Sequence, residues 1–114
     1  MSKVFAILVE TVDGYADFAL KHPEHNQRQR AWFMQVAGEG KLLACGPCID
    51  AAADGVKARS VAVEGAGLWL IRAASREDAE ALVRQSPRYQ DGMIAMDRSH
   101  IVEWTISIGK ERFA

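Results

Sequence analysis

Residues 3–10, KVFAILVE, decide the fold class of this chain. Between Val4 and Val9 every side chain is apolar, and several are β-branched or aromatic, which is typical of a strand buried on both faces. Residues 67–73, GLWLIRA, form a second run of the same kind. Two such strands require cover on both faces of one sheet, so the sequence predicts a layered α+β domain.

The other elements are predicted from apolar spacing and from turn residues. In chain order they are a helix at 24–37, a strand at 41–48, a loop at 49–59, a hairpin arm at 60–63, a helix capped by Ser75 and ended by Ser86 and Pro87, and a strand at 100–108. The order βαββαβ predicts a ferredoxin-like fold, in which two helices cover one face of a four-stranded antiparallel sheet. Because the second face is also apolar, the sequence predicts a homodimer that covers it.

Composition limits the classes of protein to consider. The chain has 114 residues, with 14 Lys and Arg against 15 Asp and Glu, so residues 1–114 are predicted to form one domain of net charge −1. No basic stretch indicates nucleic-acid binding, and the apolar start is too short for a signal sequence or a membrane span. Two cysteines only three positions apart favour a reducing, cytoplasmic location.

Four short motifs resemble those of the YCII-related family. They are residues 22–25 (HPEH), 40–47 (GKLLACGP), 86–92 (SPRYQDG) and 102–104 (VEW), and they span nearly the whole chain. The resemblance implies a dimeric α/β barrel, related in fold to muconolactone isomerase. It also implies a small cyclic ligand and, in a few members, activity such as dehydrochlorination.

The catalytic candidate is His25. At 100° per residue, His25 shares one stripe of the helix with Gln29, Trp32 and Val36, so it is expected to be buried. In the first helical turn the positive end of the helix dipole disfavours imidazolium, which keeps a neutral ring available as a base. The alternative is a core histidine satisfied by a backbone carbonyl.

The partner of His25 is left open by the sequence. The family's usual Asp is Ser86 here, and its usual Arg is His22, so the resemblance implies a His–Asp dyad that lacks its carboxylate. Ser86 can form a hydrogen bond to His25 without stabilising the charged ring as a carboxylate would. Asp91 either replaces the missing carboxylate from the loop or is a turn residue before Gly92.

The remaining candidates are expected to bind the ligand, in a pocket between the first helix and the last strand. They are His22, Gln29, Trp32, Gly46, Pro47, His100 and Trp104. Gln29 otherwise fills the rim of the core, His100 otherwise lies on the rim of the pocket, and His22 is otherwise a solvated turn residue or a metal ligand. No third ligand has diagnostic spacing, so we expect no metal and no cofactor.

The tetrapeptide Cys45–Gly46–Pro47–Cys48 matches the redox motif of thioredoxins. In those proteins the motif opens a long helix that lowers the pKa of the first thiol, whereas here Gly55 interrupts the residues that follow. The cysteines are therefore interpreted as small buried hydrophobes at a strand end, the alternative being a reversible disulfide between them.

Three hypotheses for function remain. The first is a cofactor-independent enzyme of lyase, isomerase or dehydrochlorinase type, with His25 as general acid and base. The second is a non-catalytic ligand-binding or interaction dimer with a degenerate site. The third is a thiol redox protein that uses Cys45 and Cys48.

Overall fold

The computed structural model describes residues 2–48 and 66–113. Its elements are β1 (Lys3–Val9), α1 (Tyr15–Lys21), α2 (Pro23–Gly38), β2 (Leu42–Pro47), β3 (Gly67–Ala73), α3 (Arg76–Gln85), α4 (Pro87–Gln90) and β4 (His100–Glu103), with 3₁₀ turns at Met96–Arg98 and Lys110–Phe113. The predicted loop at 49–59 and hairpin arm at 60–63 lie outside the described residues. None of the helices in the described ranges is both long and apolar enough to cross a membrane.

The four strands form one antiparallel sheet in the order β2-β3-β1-β4. The two long strands of the sequence prediction, β1 and β3, lie at its centre and pair over their whole length, from Lys3 opposite Ala73 to Val9 opposite Gly67. Helices α2 and α3 pack on one face. The α+β, ferredoxin-like fold predicted from the sequence is confirmed.

The core lies between these helices and the sheet. Alternate residues of the central strands point into it and are at most 2% exposed: Phe5, Ile7, Val9, Trp69 and Ile71. The helices contribute Val36 from α2 and Ala79, Leu82 and Val83 from α3. Helix α3 begins where the sequence predicts, because the Asp78 amide donates to the Ser75 hydroxyl at 3.1 Å and caps the first turn.

The opposite face of the sheet is apolar and uncovered in the single chain. Strand pairing aligns Ala44, Leu70, Ala6 and Val102 in one row across all four strands. The next row contains Gly46, Leu68, Leu8 and His100, and the residues Leu8, Leu68 and Val102 are 37%, 42% and 55% exposed. We call these two rows the open face. The homodimer that would cover it stays a prediction.

Two elements differ from the sequence prediction. Helix α1 was not predicted; it has only seven residues, of which Tyr15 is the one that is buried. Strand β4 ends at Glu103 rather than at residue 108. The last pair in its ladder with β1 is Phe5 with Glu103, and the Trp104 amide then donates to the Val4 carbonyl. Ile108 is 93% exposed as a result.

Candidate functional site

His25 lies in the first turn of α2 with its side chain fully buried. Helix α2 begins at Pro23, whose fixed φ suits the first helical position, and the same stripe buries Gln29 and Val36 as the spacing predicts. The imidazole packs edge-on against the rings of Phe18 and Tyr15, with centroid distances of 5.1 and 5.7 Å. These contacts hold the ring in one orientation inside an apolar shell.

The carboxylate of Asp91 supplies the partner that Ser86 does not. Its Oδ2 lies 2.7 Å from Nδ1 of His25 and also 2.7 Å from a guanidinium nitrogen of Arg28. Asp91 directly follows the last residue of α4 and precedes Gly92, whose φ of +77° turns the chain. Asp91 is therefore both the carboxylate that pairs with His25 and a turn residue. Although residue 86 is a serine, His25 therefore has a carboxylate partner, Asp91.

The second nitrogen of the ring faces Tyr15. The Tyr15 hydroxyl lies 3.3 Å from Nε2 of His25. Because an ionised carboxylate can only accept, the bond to Asp91 assigns the imidazole proton to Nδ1 and leaves Nε2 as the acceptor for the Tyr15 hydroxyl. The order Asp91, His25, Tyr15 is thus a continuous path of hydrogen bonds. Sequence reasoning missed Tyr15, and the only local signal was the glycine before it, Gly14, which has a φ of +82°.

The pKa of Asp91 is held below its usual value, first by the hydrogen bond from Arg28 and then by that with His25. A carboxyl with a lowered folded-state pKa stabilises the fold above its unfolded value of about 3.9, and this contribution is lost as pH falls through the folded value. We expect Asp91→Asn to lower the free energy of unfolding at about pH 7, and this deficit to shrink at about pH 3. Urea denaturation at both pH values checks this.

The control for this measurement is Asp17→Asn. Asp17 pairs with Lys21 on the surface, where the two side chains are 71% and 69% exposed, so its loss should change stability little at either pH. A deficit for Asp91→Asn of equal size at both pH values would contradict the expected coupling.

Ser86 and Gln29 support the pairing rather than take part in it. The buried Ser86 hydroxyl accepts from the Tyr89 amide at 3.2 Å and caps α4, so the expected bond from Ser86 to His25 is wrong. Gln29, which is 1% exposed, accepts from the Arg88 amide through Oε1 at 2.8 Å. Both contacts hold α4 against α2, which sets the position of Asp91.

A cleft of about 620 Å³ opens beside Tyr15. Its walls come from α1, α2, the ends of β2 and β3, and α4. The lining residues are Tyr15, Ala16, Ala19, Leu20, Asn26, Phe33, Cys45, Gly46, Pro47, Ala66, Gly67, Trp69 and Arg88. The buried His25 is not among them, so Tyr15 connects the His–Asp pair to the cleft.

The cleft is not in the predicted place. It lies at the β2 side of the sheet, whereas β4 is at the opposite edge, so His100 and Trp104 do not line it. That these two residues bind the ligand stays a prediction. Trp104 packs against Phe113 instead. Of the predicted ligand-binding residues, Gly46 and Pro47 line the cleft, while Trp32 packs on Trp69 behind it.

His22 lies outside the cleft, between α1 and α2. Its Nδ1 is 3.2 Å from Glu24 on the surface, and its ring packs on Phe18. In the part of the chain that the structure describes, no three His, Cys, Asp or Glu side chains form a group that could hold a metal ion. That no metal is bound stays a prediction.

Cys45 lies within strand β2, and both cysteines are free thiols. Cys45 is exposed and Cys48 is half-buried, so the prediction that both are buried is wrong. Burial raises the pKa of the Cys45 thiol, and the charge of Arg88 only partly opposes this rise. A thioredoxin-type cysteine at a helix N-terminus has the opposite shift. The geometry of Cys45 therefore does not favour the redox hypothesis.

We expect Cys45 to react slowly with iodoacetamide at neutral pH, and faster as the pH rises, because only the thiolate is nucleophilic. Mass spectrometry of peptides from the native protein measures the rate at each cysteine, with Cys45→Ser as the control for Cys48. Alkylation of Cys45 faster than that of free cysteine at mildly acidic pH would contradict the raised pKa.

The chain is similar to a known family in sequence and to a solved structure in fold. The family model of the YCII-related domain matches residues 5–105. The fold is similar to that of 5-chloro-2-hydroxyhydroquinone dehydrochlorinase (TftG) from Burkholderia phenoliruptrix AC1100, solved in complex with 2,5-dihydroxybenzoquinone. The TM-score is 0.66 at 16% identity, over 95% of this chain and 97% of that one, and this likeness shows the fold alone. No curated protein sequence matches the chain significantly.

Proposed function

The chain belongs to the YCII-related family, and on that premise we propose that it is an enzyme that moves a proton on a small cyclic substrate without a cofactor. The observation that carries the proposal is the path from Asp91 through the buried His25 to Tyr15 at the wall of the cleft. A purely structural histidine needs no carboxylate on one nitrogen and a cleft-lining hydroxyl on the other.

The proposed step begins with the substrate beside the Tyr15 hydroxyl. The substrate gives a proton to the Tyr15 oxygen, and the proton of that hydroxyl passes to Nε2 of His25, 3.3 Å away. The electron pair left on the substrate then expels a leaving group, as in elimination of chloride, or recovers a proton at another atom, as in isomerisation. Only protons move between protein and substrate, so this chemistry requires no cofactor.

Asp91 and Arg28 make His25 a suitable base. When His25 accepts the proton it becomes imidazolium, and the carboxylate of Asp91 at 2.7 Å stabilises the new charge. Arg28 keeps Asp91 ionised through its own 2.7 Å hydrogen bond. In the proposed reaction, Asp91 and Arg28 hold His25 in position, and His25 accepts the proton through Tyr15.

The fold of TftG, whose name describes a dehydrochlorinase, supports ring compounds as the substrate class to test. The experiment is a panel of hydroxylated rings, with and without chlorine substituents, incubated with the protein in deuterated water. We expect deuterium exchange or chloride release for a subset of the panel. Compounds that bind but undergo neither reaction would instead support the ligand-binding hypothesis.

A further inference from the structure

Among the described residues that line the cleft, one is a cation, Arg88. Its guanidinium carbon lies 5.3 Å from the ring centroid of Tyr15, and its Nε is buried without a hydrogen-bond partner. Within residues 2–48 and 66–113 no carboxylate forms an ion pair with it. Three other arginines have acidic partners: Arg28 with Asp91, Arg84 with Glu80 and Arg98 with Asp13. Among the described residues, Arg88 is thus a charged group beside apolar walls with no carboxylate paired to it.

The backbone holds Arg88 in a fixed position relative to the proton path. The Arg88 amide donates to the buried side chain of Gln29 at 2.8 Å, and the Arg88 carbonyl accepts from the Met93 amide at 2.9 Å. Asp91, three residues later, binds His25. The short segment 88–91 therefore fixes the positions of both the carboxylate that pairs with His25 and the cation in the cleft.

The other walls of the cleft are mainly aromatic and favour a flat ligand. The rings of Tyr15, Phe33 and Trp69 line the cleft, Asn26 adds an amide, and none of the described residues that line it is acidic. The acids Glu10, Asp13 and Asp17 line an adjoining groove, which shares Tyr15 with this cleft. A flat ring fits the aromatic walls, and a negative charge fits only the side that Arg88 occupies.

We propose that Arg88 binds an anionic oxygen of the ligand, and that the cleft takes small planar ring compounds that carry a carboxylate or an ionised hydroxyl. This inference rests on the proposed function for its site and adds the charge of the substrate. A guanidinium can donate two parallel hydrogen bonds to such a group, which fixes the ring beside the Tyr15 hydroxyl.

The test compares probes that differ in charge. Benzoate and its neutral isostere benzamide are titrated into the protein while the indole N–H signal of Trp69 is followed by NMR. Dinitrophenolate and dinitrobenzene form a second pair, which separates ionised hydroxyl from carboxylate. We expect each anion to bind more tightly than its neutral partner, and Arg88→Gln to weaken anion binding by about 10-fold to 100-fold.

Further variants separate this inference from simpler explanations. Arg30→Gln removes an exposed arginine of α2 and should leave benzoate affinity unchanged. Arg88→Lys keeps the charge and should retain the preference for benzoate over benzamide, which covers the case in which Arg88→Gln fails to fold. His25→Asn should still bind benzoate, because it leaves Arg88 in place.

Two results would overturn the inference. One is equal affinity of the wild-type protein for benzoate and benzamide, and the other is full anion affinity in a folded Arg88→Gln variant. Neither result touches the proton path, so the proposed function would stand. Conversely, retained turnover in His25→Asn would reject the proposed function while anion binding by Arg88 remained measurable.

Discussion

Replacement of His25 with asparagine is expected to lower turnover by about 10²–10⁴-fold, the usual contribution of general base catalysis. Asparagine can still donate an N–H toward Asp91, as Nδ1 of the imidazole does across 2.7 Å, but it has no basic nitrogen. Tyr15→Phe keeps the ring and removes only the hydroxyl, so it should lose turnover to a similar degree. Steady-state rates on a substrate from the panel measure both losses.

The double variant tests whether the two residues act on one path. If the proton passes through Tyr15 to His25, Tyr15→Phe combined with His25→Asn should be no slower than the slower single variant. The matched control is His22→Asn, which removes an exposed histidine outside the cleft that pairs with Glu24 and should leave the rate unchanged. Losses that multiply would contradict a common path.

A structural role for His25 predicts a different pattern. His25→Ala would then lower the free energy of unfolding by about 1–3 kcal/mol, because a buried polar contact is lost, and would leave the activity of the folded fraction unchanged. Denaturation and turnover measured on the same samples distinguish the two roles.

The second large effect concerns the open face, which we expect to be the interface of a homodimer. Leu8 lies in this face, paired with Leu68 on one side and His100 on the other. Leu8→Glu would place an unpaired carboxylate in a dry interface, at a cost of several kcal/mol. The dimer should therefore dissociate at micromolar concentration, since each 1.4 kcal/mol weakens association about tenfold.

Sedimentation analysis of the wild-type protein and of Leu8→Glu checks this expectation. Met34→Glu is the control, because it adds the same charge at an exposed position of α2, on the helical side of the sheet. A wild-type chain that sediments as a folded monomer at micromolar concentration would remove the argument for the dimer.

Apolar periodicity determined most of the fold. The runs in β1 and β3, the stripe of α2 and the Ser75 cap of α3 each follow from residues close in sequence, and each was predicted close to its observed position. The prediction was wrong at the end of β4, because the length of a strand depends on its pairing with the neighbouring strand. Alternation continues to residue 108, yet β4 ends at Glu103, where its ladder with β1 has its last pair, Phe5 with Glu103.

The candidate site was also predicted only in part from the sequence. His25 was identified from the sequence, because burial on a helix stripe and a position in the first turn are local properties. Its carboxylate and its contact with the cleft were not decided by local pattern. Asp91 is 66 residues away along the chain, and Tyr15 lies on a helix of only seven residues. Only the packing of α1 and α4 against α2 brings these groups to the two nitrogens of one imidazole, and side chains distant in sequence meet only when the sheet and its helices are assembled.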